Sequence, residues 1–333
     1  LASTDFFSIA CGGGKLKSLR FSGSAMKHPL TTTMLLVALF VVAQIVGLVL
    51  VNLSIVSVGV NVETGQTELV HDTTAIGDRP DFTGWQSFLY LVFGVAVGTA
   101  LLLLLIRFRK IKLWKAWFLL AVFLAQAVAF GVFLPEVTAL AFALALALWK
   151  VFRPNPWIHN LTEVFLYAGI AVLLVPILDV PWSLVLLLAI SIYDAWAVWR
   201  SKHMVTLAEF QKGSQVFAGL MVPKPATKHA VKRPMKKAAK DVKALPQPTQ
   251  ATSAILGGGD IAFPLILTGT VMEGLMLVGA SRVAALSEAL LVTLGATIAL
   301  AVLFILAKKN HYYPAMPFLT IGCLLGWLVT FLI

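Results

Sequence analysis

Charge is what this 333-residue sequence has little of. Only 12% of its residues are Asp, Glu, Lys or Arg, and of these 15 are acidic against 26 basic. With 59% hydrophobic residues and a mean hydropathy of +0.90, too few polar side chains remain to coat a soluble globule. Cysteine is nearly absent: Cys11 and Cys323 make no disulfide framework and no CxxC metal spacing. There is no HExxH and no Walker glycine loop. The histidines at 28, 71, 159, 203, 229 and 311 lie in boundary or loop segments without metal spacing, which argues against a metalloprotease or ATPase. No cofactor or metal is expected, and no internal repeat is evident. A net charge of +11 would suggest nucleic acid for a soluble chain. In a chain built for lipid it raises the question of sidedness instead, and no nucleic-acid partner is expected.

What the sequence has is long apolar runs. Nine approach membrane-spanning length, at about 31–52, 85–106, 113–134, 136–151, 160–178, 182–199, 254–279, 285–307 and 314–332. The residues between them alternate in charge. Lys15, Lys17, Arg20 and Lys27 precede the first run, whereas Glu63, Glu68, Asp72, Asp78 and Asp81 follow it against a lone Arg79. Carried along nine spans, all of the 26 Lys and Arg except Arg79 and Arg282 fall on one side, the side retained in the cytoplasm. The expectation is an all-α polytopic protein of the cell membrane with nine transmembrane helices, N-terminus cytoplasmic and C-terminus extracytoplasmic.

Residues 1–25 end in SGSA, just before Met26, begin without Met and carry no apolar signal core, so they read as an appended tag. Residues 26–199 hold spans one to six and 254–333 spans seven to nine. The basic loop 200–253 between them divides in two. Met204, Leu207, Phe210, Val216, Phe217 and Leu220 recur at near-helical spacing, which suits an amphipathic helix in the interface. The Lys-, Ala- and Pro-rich remainder has no apolar period and reads as disordered or loosely held at anionic headgroups.

Acids decide the function class. Glu136, Glu163, Asp179, Glu273 and Glu288 lie at or towards span ends, where a side chain can reach water. Asp194, in LLLAISIYDAWAVWR, and Asp260, in ILGGGD, lie inside spans. An ionised carboxylate at a helix centre costs roughly 2.5 to 3.5 kcal/mol on insertion scales. Arg200 follows Asp194 by six residues, and the seventh run begins six before Asp260. At a helical rise both carboxylates then lie about 9 Å from the cytoplasmic boundary, on antiparallel spans adjacent in sequence.

Two close carboxylates in a poorly hydrated site settle their repulsion by sharing a proton. Aspartic proteases use such a pair, the ionised member taking a proton from water and the protonated one polarising the peptide carbonyl. A secondary transporter or ion-leak channel would use the same two residues as a protonation site, and a non-catalytic scaffold would pair them structurally. Gly257, Gly258 and Gly259 weaken the helix at its mouth and strip the backbone of side chains, so that an extended substrate segment can lie close. Tight packing of small residues is the other reading. Pro314 and Pro317 bracket Ala315 and Met316, which suggests a non-helical entry with backbone groups free for a substrate. Tyr193 is either an interface-facing aromatic or an orienting partner of the pair.

The YD of Tyr193 and Asp194, the GxGD of Gly257 to Asp260 and the PAM of Pro314 to Met316, in order on the sixth, seventh and ninth spans, resemble the presenilin and signal peptide peptidase family of intramembrane aspartyl proteases. Met316 departs from the leucine of that family's third motif; methionine has similar volume and more flexibility. The resemblance implies that Asp194 and Asp260 are catalytic, that the Pro314 loop positions substrate, and that the partners are single-span membrane protein substrates within the lipid bilayer. It also implies a compact microbial member with presenilin-like orientation, and leaves homo-oligomer formation open.

Overall fold

The computed structural model describes residues 30–60, 67–80, 82, 84–108, 111–153, 155–201, 217–223, 254–307 and 313–332. The N-terminal 1–25 segment and most of the 200–253 loop lie outside the described residues. Nine α-helices occur among the described residues: α1 (Leu30–Ser54), α2 (Trp85–Arg107), α3 (Ile111–Gly131), α4 (Glu136–Phe152), α5 (Pro156–Leu174), α6 (Val180–Trp196), α7 (Gly259–Leu277), α8 (Arg282–Leu306) and α9 (Met316–Val329). Seven are long and apolar enough to cross a membrane. The other two, α4 and α9, are apolar but shorter, at 17 and 14 residues.

Helix starts follow local chemistry. Asn155 caps α5 by accepting the Trp157 N–H, with Pro156 at the first helical position. Asp179 caps α6 through the Trp182 N–H, and Ser281 caps α8 through that of Ala284. Because lipid supplies little hydrophobic drive between helices, close packing relies on small residues. A Cβ on Gly169 of α5 would run into the Ala125 carbonyl of α3, and one on Gly295 of α8 into the Gly322 carbonyl of α9. The core centres on α7, whose Ile261, Leu265, Leu267 and Met272 are fully buried among α1, α5 and α8.

Two antiparallel strand pairs interrupt the expected all-α picture. β1 (Ile55–Val60) and β2 (Thr67–His71) form a hairpin after α1. β3 (Gly219–Val222) pairs with β4 (Ala254–Gly257) in the register Gly219↔Gly257 to Val222↔Ala254. Both members of the second pair correct the sequence reading. Leu220 belongs to β3 rather than to an interfacial helix. The seventh apolar run begins as strand β4, because the three glycines that follow Leu256 do not sustain a helix back to Ala254.

The bundle has two chemically distinct ends. At one, Arg282 donates to the Ile55 carbonyl at 2.7 Å, His71 pairs with Glu273 at 2.9 Å, and Arg79 donates to the Asp72 and Val172 carbonyls. Burial pushes the Arg79 guanidinium down from its ordinary pKa, opposed by the nearby Glu273 and Asp72. At the other end are the close of α4 and of α6, the start of α5, α7 and α9, and the β3–β4 pair. Asp194 and Asp260 lie at this second end.

Candidate active site

Asp194 sits near the C-terminal end of α6, only 7% exposed. Just beyond it the helix widens into a π-helical turn, Ala197–Ser201, where the Ala197 N–H is shared between the Tyr193 and Asp194 carbonyls. The Asp194 carboxylate accepts the Met316 N–H at 3.2 Å and also the Ala315 N–H. This placement has a simple origin: the first N–H groups of a helix have no partner within it, and the start of α9 turns two of them on a carboxylate.

Asp260 occupies the first turn of α7, partly buried, within electrostatic reach of Asp194. Its carboxyl group accepts the Gly257 N–H. The glycines before it serve separate ends. A Cβ on Gly257 would lie 3.2 Å from Asp260 Oδ2, and one on Gly258 would lie 2.5 Å from the Tyr167 hydroxyl. Gly257 and Gly259 are exposed, as is Ile255 of β4, so the approach to Asp260 is open on the strand side. Pro264, which has no N–H, cannot close the helical bond onto the Asp260 carbonyl. From α1, Gln44 Nε2 donates to the Ile261 carbonyl at 2.9 Å and fixes this opening turn against the core.

The sequence-derived residues thus come together unevenly. Asp194 meets Ala315 and Met316, Asp260 meets Gly257, and the two carboxyl groups lie within electrostatic reach of each other. Pro314 and Met316 are buried. The N–H groups of Ala315 and Met316, expected to be free for a substrate, are engaged by Asp194. Tyr193 is 45% exposed, with its ring 6.4 Å from that of Trp196. That geometry favours the interface-facing reading; the groups that hold Asp194 are backbone N–H groups of the α9 entry.

Sequence reasoning missed a polar cluster beneath the glycines. Glu163 was expected to reach water, yet it is fully buried. It is tolerated there because Lys150 of α4 neutralises it and two further donors, the Tyr167 hydroxyl and the Gly219 N–H at 2.7 Å, complete its shell. Glu273 is likewise buried, because His71 of β2 folds over it. Next to Glu163, His159 bonds the Gly219 carbonyl at 2.8 Å, and Asn160 takes both the N–H and the carbonyl of Met221. The legible signal was the spacing 159, 160, 163, 167, which puts four polar groups on one face of an apolar helix.

The family model described as signal-peptide peptidase, presenilin aspartyl protease matches residues 37–333. The chain belongs to this family. It is therefore an aspartic endopeptidase of the intramembrane-cleaving kind and a multi-pass membrane protein. A solved structure of a presenilin family intramembrane aspartate protease in a C222 crystal form is similar at a TM-score of 0.55 and 20% identity, covering 90% of this chain and 98% of that one. Another, in a P2 form, gives 0.55 and 20% over 89% and 96%. At that identity the likeness speaks for the fold. A search of the curated proteins finds no match.

Proposed function

We propose that Asp194 and Asp260 are the catalytic dyad of this presenilin-family protease. The observation that carries the reading is the placement of Asp194 at the end of α6 and Asp260 at the start of α7, at the same end of the bundle and within electrostatic reach of each other. With one proton shared between them, the ionised member takes a proton from water as the water oxygen attacks the scissile carbonyl carbon. The protonated member gives its proton to the carbonyl oxygen. Collapse of the resulting gem-diol, with a proton passed to the nitrogen, breaks the C–N bond and leaves a carboxyl and an amine terminus.

A peptide bond inside a substrate helix is shielded by its own hydrogen bonds, so the helix must first be drawn out. The β3–β4 pair supports strand addition as the means. Side chains of α5 occupy the edge of β3 at Gly219 and Met221, which leaves Leu220 and Val222 to bond β4. On β4 the alternation then turns Ile255 outward, beside Asp260, to an edge that no strand pairs among the described residues. Gly257, Gly258 and Gly259 keep that approach bare, and Pro314, Ala315 and Met316 hold Asp194 from the far side.

The same reading takes all nine helices as spans, with the N-terminus in the cytoplasm, the C-terminus outside and the cell membrane as location. Residues 26–199 and 254–333 form the transmembrane parts, and 200–253 a cytoplasmic loop. Support comes from the basic residues Lys150, Arg153 and Arg200, which share the dyad's end of the bundle, while Arg79 and Arg282 lie at the opposite end. A transporter using the two acids as a protonation site is not favoured for a member of a protease family.

The test is incubation of the purified protein in detergent micelles with a labelled single-span substrate. New N- and C-termini within the substrate span are expected. Proton or ion flux through proteoliposomes without any new termini would overturn the reading.

A further inference from the structure

We propose that Glu163 is a positioning residue for Asp260, acting through strand β3 and Tyr167 on the glycine entry of α7. The inference rests on the assignment of Asp260 to the dyad. A buried ion pair between α4 and α5 would need only Lys150 and Glu163. Here the carboxylate also accepts the Tyr167 hydroxyl and the Gly219 N–H, and these lead to two adjacent residues of the α7 entry, Gly258 and Gly257. Gly219 is paired in register with Gly257, whose own N–H is donated to Asp260. Tyr167 lies against Gly258, the next residue, so closely that a Cβ there would meet both its hydroxyl and its ring. One carboxylate thus fixes the α7 entry from two directions, laterally through the strand pair and from beneath through the phenol ring.

The docking of β3 strengthens this route. Gly219 has φ +145, a conformation that favours glycine, and a Cβ on it would collide with the Leu256 carbonyl of β4. Its N–H and carbonyl go to Glu163 and His159, while Met221 is gripped at both backbone groups by Asn160. The strand is therefore clamped to one face of α5, and any shift of Gly219 moves Gly257 with it. Catalytic geometry is sensitive at this scale: a displacement of about 1 Å can cost on the order of 10²-fold in rate.

Two variants test the role. Tyr167→Phe removes only the hydroxyl bond and keeps the ring, Lys150 and the Gly219 bond in place. Lys150→Met with Glu163→Gln removes both charges together, so that no unpaired ion is buried, but leaves one amide oxygen for two donors. For each, the thermal midpoint in detergent, kcat, KM and the affinity for a non-cleavable hydroxyethylene isostere are measured, with Asp260→Asn in parallel. The expected result is a midpoint within about 4 °C of wild type, a kcat lower by about 10- to 100-fold, and isostere affinity falling in step with kcat. Wild-type kcat in a folded variant would overturn the proposal; if the double variant does not fold, Tyr167→Phe alone decides. Activity in Asp260→Asn would instead remove the dyad assignment on which the proposal stands, a result separable from any at Glu163.

Discussion

Gly258 and Gly259 are neighbours with different tolerances. A Cβ at Gly258 would lie 2.5 Å from the Tyr167 hydroxyl and 3.1 Å from two of its ring carbons, and that ring is buried and held by Glu163. A Cβ at Gly259 would meet only the Phe263 ring at 3.5 Å, an ordinary contact. Gly258→Ala is therefore expected to cost about 1 to 3 kcal/mol as an overpacked site and to slow cleavage. Gly259→Ala should leave the thermal midpoint close to wild type; equal midpoints for the two would contradict the packing described. At this scale the sequence was legible where a residue is out of place in lipid. Asp194, Asp260 and the glycines stood out because charge and flexibility are rare in apolar spans. Glu163 did not. Whether an acid at a span end meets water or protein depends on Lys150 and Gly219, which are distant in sequence, and no local pattern carries that.

At the scale of elements, the runs gave the helices but not their ends. An apolar run such as AILG reads equally as strand or helix until its partner is known, and β3 lies far before β4 in the sequence. The entry of α9 is a second case: two prolines signalled an irregular start, but the use of its N–H groups to hold Asp194 required the neighbouring end of α6. This gives a prediction. A bulkier side chain at Ala315, as in Ala315→Leu, should displace the Ala315 and Met316 N–H groups from the carboxylate. It should lower kcat by roughly tenfold or more and weaken binding of a helical-peptide competitor, in a protein that remains folded by circular dichroism. Unchanged rate and competitor affinity would mean that the segment is an ordinary helix start.

For the molecule as a whole, the separation of the two ends predicts where a substrate is cut. The carboxylates share the end that carries Lys150, Arg153 and Arg200, whereas the Arg79, Glu273 and Arg282 contacts tie off the other. In the proposed topology the site lies near the boundary, where water would reach it at limited desolvation cost, and this would account for acids in an otherwise apolar frame. For single-span substrates with the N-terminus outside, the first cut should lie within about two or three helical turns of the cytoplasmic end. Mass spectrometry of both fragments from a substrate of known orientation reads this directly. First cuts near the outer boundary, or equal use of reversed substrates, would contradict the nine-span orientation. Charge alternation along the sequence implies that orientation, and the position of the acids at the basic end of the bundle supports it.

The central claim is that the two aspartates act as one catalytic unit. Its most direct test is the single-turnover cleavage rate of Asp194→Asn and of Asp260→Asn, each verified as folded and inserted. Either change alone is expected to lower the rate by at least about 10³-fold, since groups acting as a unit are lost together. Substantial turnover by either folded variant would contradict it.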